Sequence, residues 1–130
     1  MDMPWKEIAP IDANKEYLAL LTYLPLNKHR TIPRLLWSMF AIQKQLADST
    51  GIIGYALRAK PFQKDFWTIS AWLDERSLMD FALRIPHSQV MKALAPLMGS
   101  TKFIRWKVAG SDVPLRWNVA LEHAKREAQP

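Results

Sequence analysis

The sequence contains no cysteine. That single absence excludes disulfides, thiolate metal sites, iron–sulfur clusters and cysteine nucleophiles together. Glycine is scarce as well, with four in 130 residues, and none of them stands in a phosphate-cradling loop. There is no G-x-S-x-G elbow, no pair of histidines at metal-ligand spacing, and no adjacent pair of carboxylates except Asp74-Glu75. Hydrolase, kinase and zinc-enzyme chemistry has no support. Long apolar runs are missing too. No stretch approaches the ~18 apolar residues that a membrane span requires, and MDMPWKEIAP lacks the apolar centre of a secretory signal. A cytoplasmic protein is the default expectation.

What is present fits one globular domain: 49% of residues are apolar and 23% charged, enough for a single core. Residues 1–15 read as an N-terminal arm, 16–109 as the core and 110–130 as a C-terminal helix. Six tryptophans are many for this length, and their large apolar area suits cores, interfaces and flat-ligand pockets. The net charge of +6 comes from singly scattered Lys and Arg, with the densest places at Asn27–Arg34 and Lys125-Arg126. Neither a basic stripe nor a recognised module is visible, so a nucleic-acid partner is not indicated.

The element pattern is regular. Glu16–Leu24 reads as a strand that is apolar on both faces and therefore covered on both sides. Thr31 is a candidate N-cap for a helix running to about Ser49, with Pro33 in its first turn. Ile52–Lys60 and Asp65–Leu73 are strands joined by the short loop PFQK, which predicts an antiparallel hairpin. Gly54 marks a bulge or a close approach. Asp74 or Glu75 opens a second helix that breaks at Pro86 and resumes to Gly99. Thr101–Ala109 is the last strand, and Ser111 or Asp112 caps a C-terminal helix near Pro114. Strand, helix, strand, strand, helix, strand is the split β-α-β order: an α+β, ferredoxin-like β-α-β-β-α-β domain with a four-stranded antiparallel sheet.

In that arrangement both helices cover one sheet face. The more apolar sets, Trp67/Ile69/Ala71/Leu73 and Ile104/Trp106/Val108, are expected on the helix side. Phe66/Thr68/Ser70/Trp72 and Phe103/Arg105/Lys107 then fall on an open face, too apolar to leave in water. This predicts a homodimer through the open sheet face, with two sheets forming a barrel-like core.

The segment Phe66–Leu94, FWTISAWLDERSLMDFALRIPHSQVMKAL, carries an aromatic strand, an acidic turn, a helix and a histidine. In this it resembles antibiotic-biosynthesis-monooxygenase-like proteins of the dimeric α/β-barrel superfamily. A Pro-His pair and Pro114–Trp117 bring it closer to uncharacterised members. The likeness spans roughly residues 16–121. It implies a pocket between sheet and helices for a flat aromatic molecule, turned over without a cofactor or, in some branches, with haem.

Candidate site residues follow from chemistry. His87 stands at a helix start, where the dipole favours a neutral imidazole, fit for a base or an iron ligand. His29 and His123 are better read as solvated. Arg105 with Trp72, Thr68 and Ser70 offers a guanidinium, an aromatic platform and two hydroxyls to a flat ligand. The bland alternative is a dimer core, with Arg105 paired to an acid of the partner. Trp37 and Phe40 are candidate pocket walls. Tyr17, Tyr23 and Tyr55 are possible pocket hydroxyls, and the sequence selects none. Three functions compete: a monooxygenase-like enzyme acting on a hydrophobic or aromatic small molecule without a cofactor, a haem protein with His87 as axial ligand, and a non-enzymatic dimeric ligand-binding module.

Overall fold

The computed structural model describes residues 2–128. Five strands alternate with four helices: β1 Asp2–Glu7, β2 Glu16–Pro25, α1 Ile32–Asp48, β3 Ile52–Lys60, β4 Asp65–Trp72, α2 Glu75–Leu83, α3 His87–Leu94, β5 Lys102–Ala109 and α4 Trp117–Ala128. The strands form one antiparallel sheet in the order β1-β3-β4-β2-β5. Without β1 this is the ferredoxin-like order, so the α+β class holds. The N-terminal arm is not merely pinned to the surface, because its residues extend the sheet by a fifth strand against β3. Gly54 proves to be both things its type allows. The β3–β4 register shifts between Ile52 and Gly54, and a Cβ there would stand 2.5 Å from ring carbons of Trp5.

Helix signals hold in part. Asp74 caps α2 by accepting from the Ser77 N–H at 2.8 Å. Pro86 does break the second helical segment, and α3 begins at His87. Thr31 precedes α1, but its hydroxyl makes no cap bond, because the residue itself sits in a 3₁₀ turn with helical backbone angles. Residues Gly110–Asp112 also form a 3₁₀ turn, and α4 starts only at Trp117, so Ser111 and Asp112 do not cap it.

The assignment of the two sheet faces is reversed. Leu24 and Phe66 pack with Leu35 of α1 and Leu94 of α3, and Leu57 and Trp72 pack with Leu46 of α1 and Leu78 and Phe81 of α2. The Phe66/Thr68/Ser70/Trp72 face is therefore the helix side. The opposite face, with Ala19, Leu21, Ile69, Ala71, Ile104 and Val108, is covered by Ala120 and Trp117 of α4 and by Trp5 and Ile11 of the N-terminal segment. Leu73 belongs to neither and is half exposed. The physical reason is simple: α4 presents an apolar stripe of its own and needs a sheet face to bury it. No sheet face among the described residues is left bare, so the argument for a homodimer through an open face loses its premise.

Candidate active site

The hairpin register builds the floor of the site. Pairing across the sheet sets Tyr55 opposite Ser70, Ser70 opposite Leu20 and Leu20 opposite Arg105. A second row runs Leu57, Thr68, Thr22 and Phe103. Both rows face α1–α3. Adjacent strands lie ~4.8 Å apart, so each row spans roughly 14 Å from β3 to β5. Leu35, Met39, Ile42 and Leu46 of α1 form the roof, with Leu78 and Phe81 of α2 and His87 and Met91 of α3. Between roof and floor is a cavity of about 140 Å³. Apolar cavities of about 150 Å³ stay dry and bind benzene, so this space takes one six-membered ring.

Five of the sequence-predicted site residues line this one cavity: Thr68, Ser70, Trp72, His87 and Arg105. Trp37 and Phe40 do not. They are 78% and 68% exposed on the outer side of α1, because the inward stripe Leu35, Met39, Ile42, Leu46 leaves them no room to turn inward.

His87 is fixed from three sides. Its backbone N–H donates to Gln45 Oε1 at 2.9 Å, its Nδ1 meets the Ala82 carbonyl at 3.0 Å, and its ring lies 4.8 Å from that of Phe81. A carbonyl only accepts, so Nδ1 carries the proton and Nε2 holds the lone pair of the neutral ring. Nε2 has no protein partner among the described residues. Burial pushes the His87 pKa down, and the Ala82 hydrogen bond opposes that in part. The net result favours the neutral ring with a free basic nitrogen.

Trp72 is 1% exposed. Its Nε1–H donates to Ser70 Oγ at 2.9 Å, and its ring packs 5.1 Å from Phe81. Ser70 thereby keeps its own proton free to donate. Arg105 stands at the outer end of its row. Its Nη1 pairs with Glu75 Oε1 of the same chain at 2.5 Å, and its Nη2 approaches Met79 Sδ at 3.9 Å. The acid that holds it is thus intrachain, not a partner subunit's. The guanidinium stays at the cavity rim and remains 41% exposed.

Gln45, to which the sequence does not point, and Tyr55, one of the three tyrosines offered as pocket hydroxyls, complete the site. Gln45 joins α1 to the α2–α3 junction, since its Nε2 also donates to the Phe81 carbonyl at 3.0 Å. Tyr55 lines the cavity and is 3% exposed, yet its hydroxyl has no partner among the described residues. An unpaired buried hydroxyl costs about 1–3 kcal/mol. Burial also pushes its pKa up, so it stays protonated. Counting back five residues on each side of the hairpin pair Lys60 and Asp65 reaches Tyr55 and Ser70, a signal the sequence did contain.

Haem does not fit. A space for one ring cannot admit a tetrapyrrole, although a His87 with Nδ1 tied to a carbonyl has the tautomer that iron ligation needs. Among the described residues no helix is long and apolar enough to cross a membrane.

No family model matches the sequence, and no curated protein matches it. Solved structures do. A conserved protein from Methanosarcina mazei Go1 aligns with a TM-score of 0.62 at 12% identity, over 69% of this chain and 90% of that one. An antibiotic biosynthesis monooxygenase gives 0.63 at 12% identity, over 68% of this chain and 95% of that one. SnoaB, a cofactor-independent oxygenase from Streptomyces nogalater, gives 0.60 at 11% identity, over 75% and 97%. At these identities the similarity is one of backbone architecture. The chain has the ferredoxin-like α+β fold of the antibiotic-biosynthesis-monooxygenase-like proteins.

Proposed function

We propose that this chain is a monooxygenase-like enzyme that oxidises a single-ring hydrophobic phenol with O₂ and no cofactor. The observation that carries the reading is the basic Nε2 of a neutral, clamped His87 on a largely apolar cavity sized for one aromatic ring. The fold shared with a cofactor-independent oxygenase supports it.

The chemistry follows from the residues. His87 takes the phenolic proton as general base. Arg105, held at the rim by Glu75, supplies the positive charge toward the phenolate. Apolar walls keep water from the activated ring. The electron-rich phenolate then reacts with O₂ at a ring carbon ortho or para to its oxygen. One oxygen atom bonds to that carbon, the C–H hydrogen and the phenolic hydrogen leave with the other as water, and the phenol becomes a quinone. O₂ accepts the four electrons, so no external reductant is required.

The test is oxygen uptake and quinone absorbance with single-ring phenols and hydroquinones. Turnover is expected for the wild type, and His87→Ala is expected to lower it by about 10²–10⁴-fold, the range of a general base. Absence of enzyme-dependent uptake with every such ring would falsify the reading.

A further inference from the structure

The outer side of α1 takes no part in the site. Leu35, Met39, Ile42 and Leu46 on its inner side roof the cavity. A surface helix ordinarily sets polar residues opposite such a stripe. α1 instead presents Trp37 and Phe40 to solvent, 78% and 68% exposed, with Leu36 at their flank. The surroundings of these rings are basic. Trp37 stands three residues after Arg34 and seven before Lys44, spacings that return to one helix face. Arg34 and Lys44 are exposed, and neither makes an ion pair among the described residues. No Asp or Glu occurs from Tyr17 to Ala47. Helices favour acids in the first turn, but α1 has none there and carries Arg34 instead, behind Lys28 and Arg30. The positive end of the helix dipole thus adds to the cations rather than offsetting them. The His29 ring meets the Phe62 carbonyl at 2.9 Å and so ties the β3–β4 turn to the approach of α1. Phe62 on that turn is 95% exposed, between Lys60 and Lys64.

We propose that the outer face of α1 rests on an anionic phospholipid surface, with Trp37 and Phe40 at headgroup depth and Arg34 and Lys44 among the phosphates. Tryptophan suits that depth, because its ring is apolar and its N–H stays in the wet layer. The stems of Arg and Lys lie along the apolar surface while their charges reach the headgroups. A helix face that joins aromatic rings to cations without acids lies in such an interface. A second copy of the chain is the poorer occupant, since a two-fold contact through this face sets Arg34 and Lys44 against their own like charges. Nucleic acid is poorer as well, because Leu36, Trp37 and Phe40 put apolar surface where a phosphate backbone asks for polar donors. The proposal is independent of the oxygenase reading.

The test is co-sedimentation of the full chain with phosphatidylcholine vesicles containing about 30% phosphatidylserine, and with phosphatidylcholine vesicles alone. Wild type is expected to bind the anionic vesicles, and to release them as salt is raised. Arg34→Gln with Lys44→Gln is expected to weaken that binding by about fivefold for each charge removed. Trp37→Ser with Phe40→Ser is expected to weaken it by about tenfold or more, through lost burial of both rings. Both pairs are exposed, so the variants are expected to melt like wild type, and the charge variant decides should the aromatic one not fold. No sedimentation of wild type at low salt, equal binding with and without phosphatidylserine, or undiminished binding by the folded variants overturns the proposal. So does a concentration-dependent dimer that Trp37→Ser with Phe40→Ser dissolves, which gives the face to a second copy. Retention of a single-stranded oligonucleotide in place of vesicles gives it to nucleic acid and overturns the proposal equally.

Discussion

Gln45 and His87 are joined across the junction of three helices: the His87 N–H donates to Gln45 Oε1, and the Gln45 amide donates onward to the Phe81 carbonyl. One side chain of α1 therefore satisfies a donor at the start of α3 and an acceptor near the end of α2. Replacing it by alanine leaves the His87 N–H without its acceptor and the Phe81 carbonyl with the Arg84 N–H alone. Gln45→Ala is expected to cost about 1–3 kcal/mol, which lowers the melting temperature by several degrees. Turnover is expected to fall further than stability explains, because His87 loses its clamp. Calorimetric melting and steady-state rates on the same samples check both. Gln45→Glu, which keeps the acceptor for His87, should retain more activity than Gln45→Ala.

The lowered pKa of His87 makes stability depend on pH in one direction. The unfolded chain binds this proton near the ordinary value of 6.5, whereas the folded chain resists it. Its contribution is therefore present above pH 6.5 and lost as the pH falls through the folded value. Urea midpoints measured from pH 7 down to pH 4.5 are expected to decline in wild type and to decline less in His87→Gln. Equal slopes would contradict the assignment of this residue as buried and neutral.

Arg105 and Glu75 sit at the rim, 41% and 69% exposed. Exposed ion pairs contribute about 0–1 kcal/mol, so Arg105→Ala should change the melting temperature little. On the proposed oxygenase reading, its charge stands at the rim by which a phenolate would enter. The variant is expected to raise KM, and added salt is expected to raise the KM of wild type in the same direction. A large loss of stability with unchanged KM would show that the pair braces the fold.

Gly54 is a packing site with a defined obstacle. A side chain there meets the Trp5 ring at 2.5 Å. Gly54→Ala must displace Trp5 and with it β1, at a cost of about 1–3 kcal/mol. Denaturant unfolding measures the loss, and hydrogen exchange should show the β1 amides losing protection first.

Much of the fold was legible in the sequence because strands and helices here have different periods. Leu35, Met39 and Ile42 recur at helical spacing, and Asp74-Glu75 marks a helix start. The side of the sheet that each helix takes was not legible. Trp67/Ile69/Ala71 and Phe66/Trp72 are both apolar, since one set meets α4 and the other meets α1–α3. With no polar face, alternation cannot say which cover goes where. The site was half legible. His87 and Arg105 stand out in the sequence by their chemistry, and both line one cavity. Trp37 and Phe40 are aromatics on the helix that roofs the cavity, but one residue step turns a side chain by ~100° around the axis, and both face outward. Tyr55 is one of three possible pocket hydroxyls in the sequence, and only packing separates it from Tyr17 and Tyr23, whose hydroxyls are bonded within the fold.

The fifth strand also changes what the molecule shows to its neighbours. With β1 added, the sheet has two free margins, β1 and β5. The first carries Pro4 between Asp2 and Lys6, and the second carries Lys102, Arg105 and Lys107. Proline withholds an amide, and charged side chains along an edge, here Lys102 with Arg105 and Lys107 paired to Glu75 and Glu16, are poorly matched to an incoming strand. Both margins are thus poor templates for adding another chain. A sheet covered on each face and blunted along each side should stay dispersed at concentrations where a bare ferredoxin-like sheet would stack or zip into fibres.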